Sequence, residues 1–589
     1  MKLIEKLKGN LMVLNGAVRR FSLAIIFLIG SVIVNGIAIE SIDNLIYSKL
    51  LATFLVGAFL AASVQMAYER FLKGRISRWV LYLLVILASA LYFLSISSAS
   101  DFNLIILVRT ALIMAVLLVA FIWIPSIRKE LSFNETFIVA FKAFFVSIFY
   151  GLVMFLGISL ILGATDILLF QVYEPLYGHV AGIVFILFFP MNFLSMIPRY
   201  HEDDKGKIIA AASIPRFLEI LLSYIIIPLI SVFTVILLIY IVINLGGRFW
   251  SENLLEPMLV AYSIVVIIVS ILSMNLTNRF TETFKKIFPK VLIPLVLFQV
   301  IASVLKIGDM GLTHGRYYVI LYGVFAVVAG VVFSFFNKSK TGVIALVFIV
   351  FSTLSIIPPV DAFTVSRINQ ESTLEKVLLR NDMLVDDRIV PKENIKEQDK
   401  IIITNTANYL WRMEYSKGIS WLGAGFDYYS NFEKVFGFET FESYVSEDVY
   451  YDYNRKANEA FSIEGYDFMT KMMIYVNEND KSFNESHVAS FKGVEYTLEF
   501  DIDGKDYSLY VKDGSDKEII VFDVGRIIDE LKDEGSSERF LSTEDSTFLM
   551  ENDEAAIKII VNHLDSYKDS RSEAFSNFNG EFFVLVDIK

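Results

Sequence analysis

The chain has 589 residues, 55% of them apolar and 20% charged, with a net charge of −12 and no cysteine. Its mean hydropathy of +0.56 lies well above that of an ordinary soluble protein. The lack of cysteine excludes disulfides, thiol nucleophiles, iron–sulfur clusters and thiolate zinc sites. Charge is unevenly spread: up to Pro359 there are 27 Lys+Arg against 17 Asp+Glu, and beyond it 25 against 47. A part of net charge +10 is thus joined to one of −22, which predicts a membrane bundle followed by an acidic folded domain.

Residues 1–20 carry Lys2, Lys6, Lys8, Arg19 and Arg20 and read as an amphipathic cytoplasmic N-terminus. The apolar run that follows, to Ala38, is longer than a signal-peptide core and reads as a retained first span. Residues 21–358 form the membrane domain, with about eleven transmembrane helices. Their cores are Phe21–Ala38, Leu50–Met66, Val80–Leu94, Leu104–Ile124, Phe137–Leu162 and Val180–Met196. Five more follow at Tyr224–Asn244, Met258–Met274, Val291–Val304, Tyr318–Phe336 and Val343–Ile357. With the N-terminus inside, the internal segments hold 21 Lys and Arg and the external loops hold four. That bias is the signature of a cytoplasmic interior, and an odd count of spans places the acidic domain outside. Ile208–Asn244 is too long for one span, so Ile214, Pro215, Arg216 and Glu219 are assigned to an interfacial helix leading into it. Pro190, Pro228 and Pro294 predict packed kinks, and the Gly57/Ala61 and Ala326/Gly330 spacings predict close helix contacts. A cysteine-free outer domain suits a bacterial cytoplasmic membrane.

Residues 359–455 read as a helical neck and an aromatic-rich segment, with helices over Asp361–Arg380 and Asp399–Met413. Residues 456–589 read as an extracytoplasmic α+β domain. A hairpin turns at Asp503-Gly504 between Glu495–Asp501 and Tyr507–Val511. Helices are expected near Gly525–Asp533 and Glu554–Tyr567, and a closing strand over Glu581–Ile588.

Arg109 is the only arginine well inside a span, about five residues from its outer end. An arginine there needs an acidic partner or a route to the interface. Glu40, Asp43, Asp101 and Asp166 fall at the same boundary, which suggests either a salt bridge in the bundle or an outward-facing polar pocket. Glu40, Asp43, Arg109, Asp309 and Arg316 are the candidate pocket residues. Lys142 reads as a lysine reaching for the inner interface. His179, His201, His314, His487 and His563 lack metal-ligand spacing, although His179 and His314 lie at the outer face with Asp309. Asp501-Ile-Asp503-Gly504 is a turn rather than a calcium loop, and Ser126-Ile-Arg-Lys129 lacks the motifs that accompany a catalytic SxxK. No catalytic residue, metal site or cofactor is expected.

Two stretches carry a resemblance: Gly311-Leu-Thr-His314-Gly-Arg316-Tyr-Tyr-Val319, and Asp361-Ala-Phe363-Thr-Val-Ser366-Arg367 leading to Gln370, Leu374, Leu378 and Leu379. With the span layout, they resemble a bacterial membrane family catalogued as domain of unknown function 4153. The family pattern has a polar residue where this chain has Gly315. The resemblance implies no reaction or cofactor, and it favours Arg316 as the functional candidate. The expected role is a non-enzymatic envelope sensor, scaffold or accessory protein. Its partners would be membrane lipids and an envelope protein bound through the acidic domain, with no nucleic acid. Two alternatives stand beside it. The first is a glycosyltransferase using a polyprenyl-phosphate sugar, with Asp43 as base or metal ligand and Arg109 or Arg316 on the phosphate. The second is a lipid or solute transporter or flippase, which the lack of a midplane carboxylate or a repeat disfavours.

Overall fold

The computed structural model describes residues 14–41, 45–127, 131–200, 203–244, 255–423, 425–440, 449–456, 459–477, 482–503, 506–527, 538–568 and 577–589. Contacts divide the chain into two compact units, Met1–Glu442 and Ser443–Lys589.

The first unit is helical. Among the described residues, ten helices are long and apolar enough to cross a membrane. They begin with α1 (Ser22–Glu40), α2 (Leu45–Ala67), α3 (Arg78–Ser97), α4 (Leu104–Trp123) and α5 (Phe133–Leu168), followed by α6 (Pro175–Ser195). A short helix α7 (Lys205–Ala212) is set off by extended backbone at Ser213 and Pro215. The chain then runs without a break from Arg216 through a widened turn, Leu221–Ile226, into α8 (Ile227–Asn244). Arg216 and Glu219 therefore belong to the long helix, and the segment preceding the break forms the separate piece. Widened turns precede both Pro190 and Pro228, where each proline removes a backbone donor. The bundle continues with α9 (Leu255–Ser273), α10 (Arg279–Leu305) and α11 (His314–Phe335). The last apolar run forms α12 (Gly342–Leu354), which has 13 residues.

Small residues set the helix spacing. A Cβ on Gly57 would lie 2.7 Å from the Phe27 ring, and one on Gly330 would lie 3.0 Å from the Pro289 carbonyl oxygen. The α1–α2 and α10–α11 pairs therefore approach closely, as small residues allow where dispersion rather than water drives packing. At the other side of the bundle, buried Arg20 donates to Glu69 (2.8 Å) and to the carbonyl oxygens of Ile197 (2.6 Å) and Pro198 (3.1 Å). This ties the chain before α1 to the turn that follows α2, Tyr68–Leu72, and to the chain just past α6. Lys142 donates to the Ser213 carbonyl (2.6 Å). Leu83, Leu87 and Leu91 of α3 point outward with more than half their surface exposed, which suits lipid rather than water.

After α12 come α13 (Ala362–Arg380) and α14 (Glu397–Arg412), which pair through Leu374, Val377, Leu378, Ile403, Ala407 and Leu410. The aromatic-rich segment completes this core with Phe426, Phe432 and Phe436.

The described part of the second unit is β-rich. One sheet runs in the order β2–β10–β9–β1–β7, with β8 also paired to β9. These strands are β1 (Val449–Arg455), β2 (Phe468–Asn477), β7 (Glu538–Leu541), β8 (Thr547–Glu551), β9 (Ala555–Lys568) and β10 (Asn577–Ile588). The other is an antiparallel meander of β3 (Ser482–Phe491), β4 (Val494–Asp503), β5 (Asp506–Asp513) and β6 (Glu518–Asp523). Their inner faces share one core, including Ile474, Phe500, Val511, Phe522, Ile559 and Val584. The expected hairpin forms, with Asp503 opposite Asp506. The expected closing strand is β10. The helix expected over Glu554–Tyr567 is instead β9. Ala555, Ile557, Ile559 and Val561 alternate into the core, and the β-branched run suits a strand paired on both sides. Of the helix expected near Gly525–Asp533, residues 525–527 fall within the described part and are helical.

Gly330→Leu should overpack the α10–α11 contact and cost ~1–3 kcal/mol. Gly157→Leu, on a helix surface with open space around it, should cost little. Thermal unfolding of the purified protein in detergent would distinguish the two. Ile559→Ala should cost ~2–4 kcal/mol in the second unit, read as faster amide exchange across β8, β9 and β10.

Candidate functional site

The two stretches that carry the family resemblance fold against each other. Gly311, at φ +69, turns the chain into α11, and Thr313 caps that helix by accepting the Arg316 backbone N–H at 3.3 Å. Asp361 caps α13, accepting the N–H groups of Phe363 (3.1 Å) and Thr364 (3.2 Å). Such caps satisfy backbone donors that a helix start leaves unpaired. The two starts then interlock. Leu312 N–H donates to Asn369 (2.6 Å), Tyr317 Oη donates to the Val360 carbonyl (2.7 Å), and the His314 ring stacks on Phe363 at 5.2 Å.

Tyr409 of α14 joins them. Its hydroxyl donates to Ser366 Oγ (2.9 Å), which in turn donates to the Phe363 carbonyl (3.1 Å). The same oxygen accepts the His314 backbone N–H (3.1 Å) and meets His314 Nδ1 at 2.9 Å. Burial raises the Tyr409 phenol above its ordinary value, against the hydrogen bonds from Ser366 and His314, so it keeps its proton at neutral pH.

Arg109 finds its acid here. Its Nη2 donates to Asp361 Oδ1 at 2.9 Å, from a side chain one-third exposed to one with no exposure. The partner is thus the cap of α13, and none of the four acids expected at the boundary. Burial pushes the Asp361 carboxyl up, but hydrogen bonds from Thr364 and Arg109 outweigh it and hold the group below its ordinary value of 3.8.

Beside this junction lies a polar cleft of about 840 Å³. The starts of α4 (Asp101 to Ile105) and α11 (Thr313 to Arg316) form one wall, and α13 and α14 supply Gln370, Asn405, Asn408 and Arg412. Arg316, only 8% exposed, lines it and donates to the Gly311 carbonyl at 2.9 Å. The other candidates are not drawn together with it. Arg109 pairs with Asp361 outside the cleft lining. Glu40 accepts from Tyr173 Oη (2.5 Å) and meets His179 Nε2 (2.7 Å) at the start of α6. Asp43, the side chain of Asp309, and His201 lie outside the described residues. His179 and His314 have separate partners, and the described residues contain no group of three His, Cys, Asp or Glu placed to hold a metal.

Sequence reasoning missed Asp361, Tyr409, Asn408 and Arg412 as site residues. Asp361 carried a signal, since an aspartate preceding an apolar helical run is a capping pattern. Tyr409 and Asn408 carried none, because their roles come from packing across distant segments.

A multi-pass helical bundle with paired extramembrane helices and a β-rich second unit defines this chain as an integral membrane protein. The family described as "Domain of unknown function (DUF4153)" matches residues 23–391, and the chain belongs to it. Both interlocked stretches fall inside that match. No curated protein and no solved structure matches the chain.

Arg109→Leu should strand the buried Asp361 carboxylate. Breaking a fully buried pair costs ~3–5 kcal/mol, and the partial exposure of Arg109 lowers this to about 2 kcal/mol. Asp361 contributes its stability above its unfolded pKa and loses it as pH falls through the lower folded value. The leucine variant should therefore show faster amide exchange in α13 than the wild type at neutral pH, and the gap between the two should close as pH falls through the Asp361 titration.

Proposed function

We propose that this protein is a ligand-responsive sensor or accessory subunit of a bacterial cytoplasmic membrane, with its N-terminus inside and its β-rich unit outside. The observation that carries this reading is the cleft itself, whose walls come from the ends of two membrane helices on one side and from α13 and α14 on the other. A ligand held there would bear on the packing of α14 against the bundle, and so on how the following chain is presented to an envelope partner.

The sidedness rests on charge and on an eleventh crossing. The bias of 21 internal to four external cations favours an inside N-terminus. Although α12 has only 13 helical residues, the segment around it returns along most of α11. Phe348 packs on Phe325 at 5.6 Å, Ser352 bonds Tyr322 at 2.9 Å, and the Val360 carbonyl meets Tyr317 at 2.7 Å. That antiparallel ladder begins near Lys338 and Lys340 and ends beside the cleft, which supports a short eleventh span. An odd count then puts the cleft and the acidic unit on the outer side.

Native mass spectrometry of the protein, extracted gently from its own membrane, tests the reading. A stoichiometric small molecule held by the wild type and lost from Asn408→Leu is expected. A bound polyprenyl-phosphate sugar that is consumed on addition of an acceptor would move the protein to the glycosyltransferase class. An empty cleft in both forms would refute the sensor reading.

A further inference from the structure

We infer that the cleft takes a neutral, hydroxyl-rich headgroup, a sugar on a lipid or free in solution, rather than a phosphate or a cation; this rests on the cleft being the functional site.

The hydrogen-bond inventory leads there. The single Tyr409 hydroxyl proton goes to Ser366, whose own proton goes to the Phe363 carbonyl. The phenol oxygen is left as an acceptor, and it faces both the backbone N–H and Nδ1 of His314. Nδ1 therefore carries the ring proton. Nε2, at the opposite edge of the ring, is left as a lone-pair acceptor with no protein partner among the described residues. Asn408 also lines the cleft, and its Oδ1 is an acceptor that is buried and without a hydrogen-bond partner among the described residues. A buried acceptor left unmade costs ~1–3 kcal/mol, so a ligand that brings a donor to Asn408 Oδ1 gains there, and one that reaches His314 Nε2 adds a hydrogen bond. Hydroxyl groups supply such donors without bringing charge.

The charges around the cleft favour a neutral ligand. Arg316 and Arg412 line it together with Asp101 and Glu414, and Glu414 is already bridged to Lys417 at 3.0 Å. An isolated anion would meet the carboxylates, and an isolated cation the arginines. A polyol can donate to Asp101, His314 and Asn408 and accept from Arg412 and from the Gly315 N–H. No Cβ stands in front of Gly315, and one built there would meet only Thr313 Oγ1 at 3.9 Å. Leu104, Ile105 and the Tyr409 ring give an apolar wall for the C–H face of a sugar ring. The volume of about 840 Å³ falls within the range of sites that enclose small organic ligands.

The test uses the full chain, extracted without sugar-headed detergents and placed in phosphatidylcholine nanodiscs. Glucose, galactose, N-acetylglucosamine and inorganic phosphate are titrated by ligand-observed NMR, at low and high salt. Parallel nanodiscs contain monoglucosyl diacylglycerol. At least one sugar should bind saturably and with little dependence on salt, as expected of an uncharged ligand. Asn408→Leu should weaken it by about tenfold or more with an unchanged melting temperature. Arg412→Ala, which removes one donor to the ligand, should weaken it less; Asn408→Ala, with the same loss expected as for the leucine, serves should Asn408→Leu unfold. If the glycolipid nanodiscs abolish binding of the free sugar, the headgroup belongs to a lipid; if not, the ligand is soluble. Salt-sensitive binding of phosphate, lost in Arg412→Ala and without sugar binding, would overturn the inference while leaving the sensor reading intact. Binding of neither, with an empty cleft by native mass spectrometry, would overturn both.

Discussion

Asp361 has two tasks that cannot be separated. Its Oδ1 caps the first turn of α13 and also receives the Arg109 guanidinium from the second turn of α4. A carboxylate with no solvent exposure is costly unless it is paired and hydrogen-bonded, and here the backbone donors and the arginine meet that demand at Oδ1, while Oδ2 is buried without a hydrogen-bond partner among the described residues. Arg109 likewise avoids an unpaired charge inside a membrane helix. The bond that makes an intramembrane arginine tolerable thus also helps to dock α13 on the bundle.

The rest of the junction follows from that anchor. With α13 held at its first turn, Phe363 lies under His314, Asn369 meets the Leu312 N–H, and Tyr409 of α14 closes over both through Ser366. These contacts are directional and mutually dependent, so a change at one of them is felt at the others. The cleft is the space left where α4 and α11 begin and the two neck helices lean over them. His314 is oriented by a bond on its far side: Tyr409 holds Nδ1, which decides what Nε2 can offer.

Much of this architecture could be read from residues alone. The apolar runs, the charge asymmetry and the neck helices depend on local composition and periodicity, and these gave helices where they were expected. The aromatic-rich segment resisted because its Phe residues serve a core built from three separate pieces of chain, with Phe432 and Phe436 packed on α13 and α14. The run from Glu554 to Tyr567 misled because Ile, Val and Leu there fit a helical stripe as well as a strand. Pairing with β8, β10 and β1 decided the matter in favour of the strand.

The sequence by itself determined that this is a membrane protein with an acidic second part, because burial in lipid needs long apolar runs and the acidic residues gather beyond them. It also singled out Arg109 as a charge that needs either an acidic partner or a route to the interface. Only the tertiary structure decided that Arg109 and Asp361 meet across 252 positions, and that Tyr409 reaches His314 across 95. It also separated Glu40 from Arg316, although both lie near helix ends. Hydropathy constrains how deep a residue lies along a membrane helix. Neighbours around the bundle depend on how the helices are arranged side by side, which is set by packing of side chains far apart in the chain.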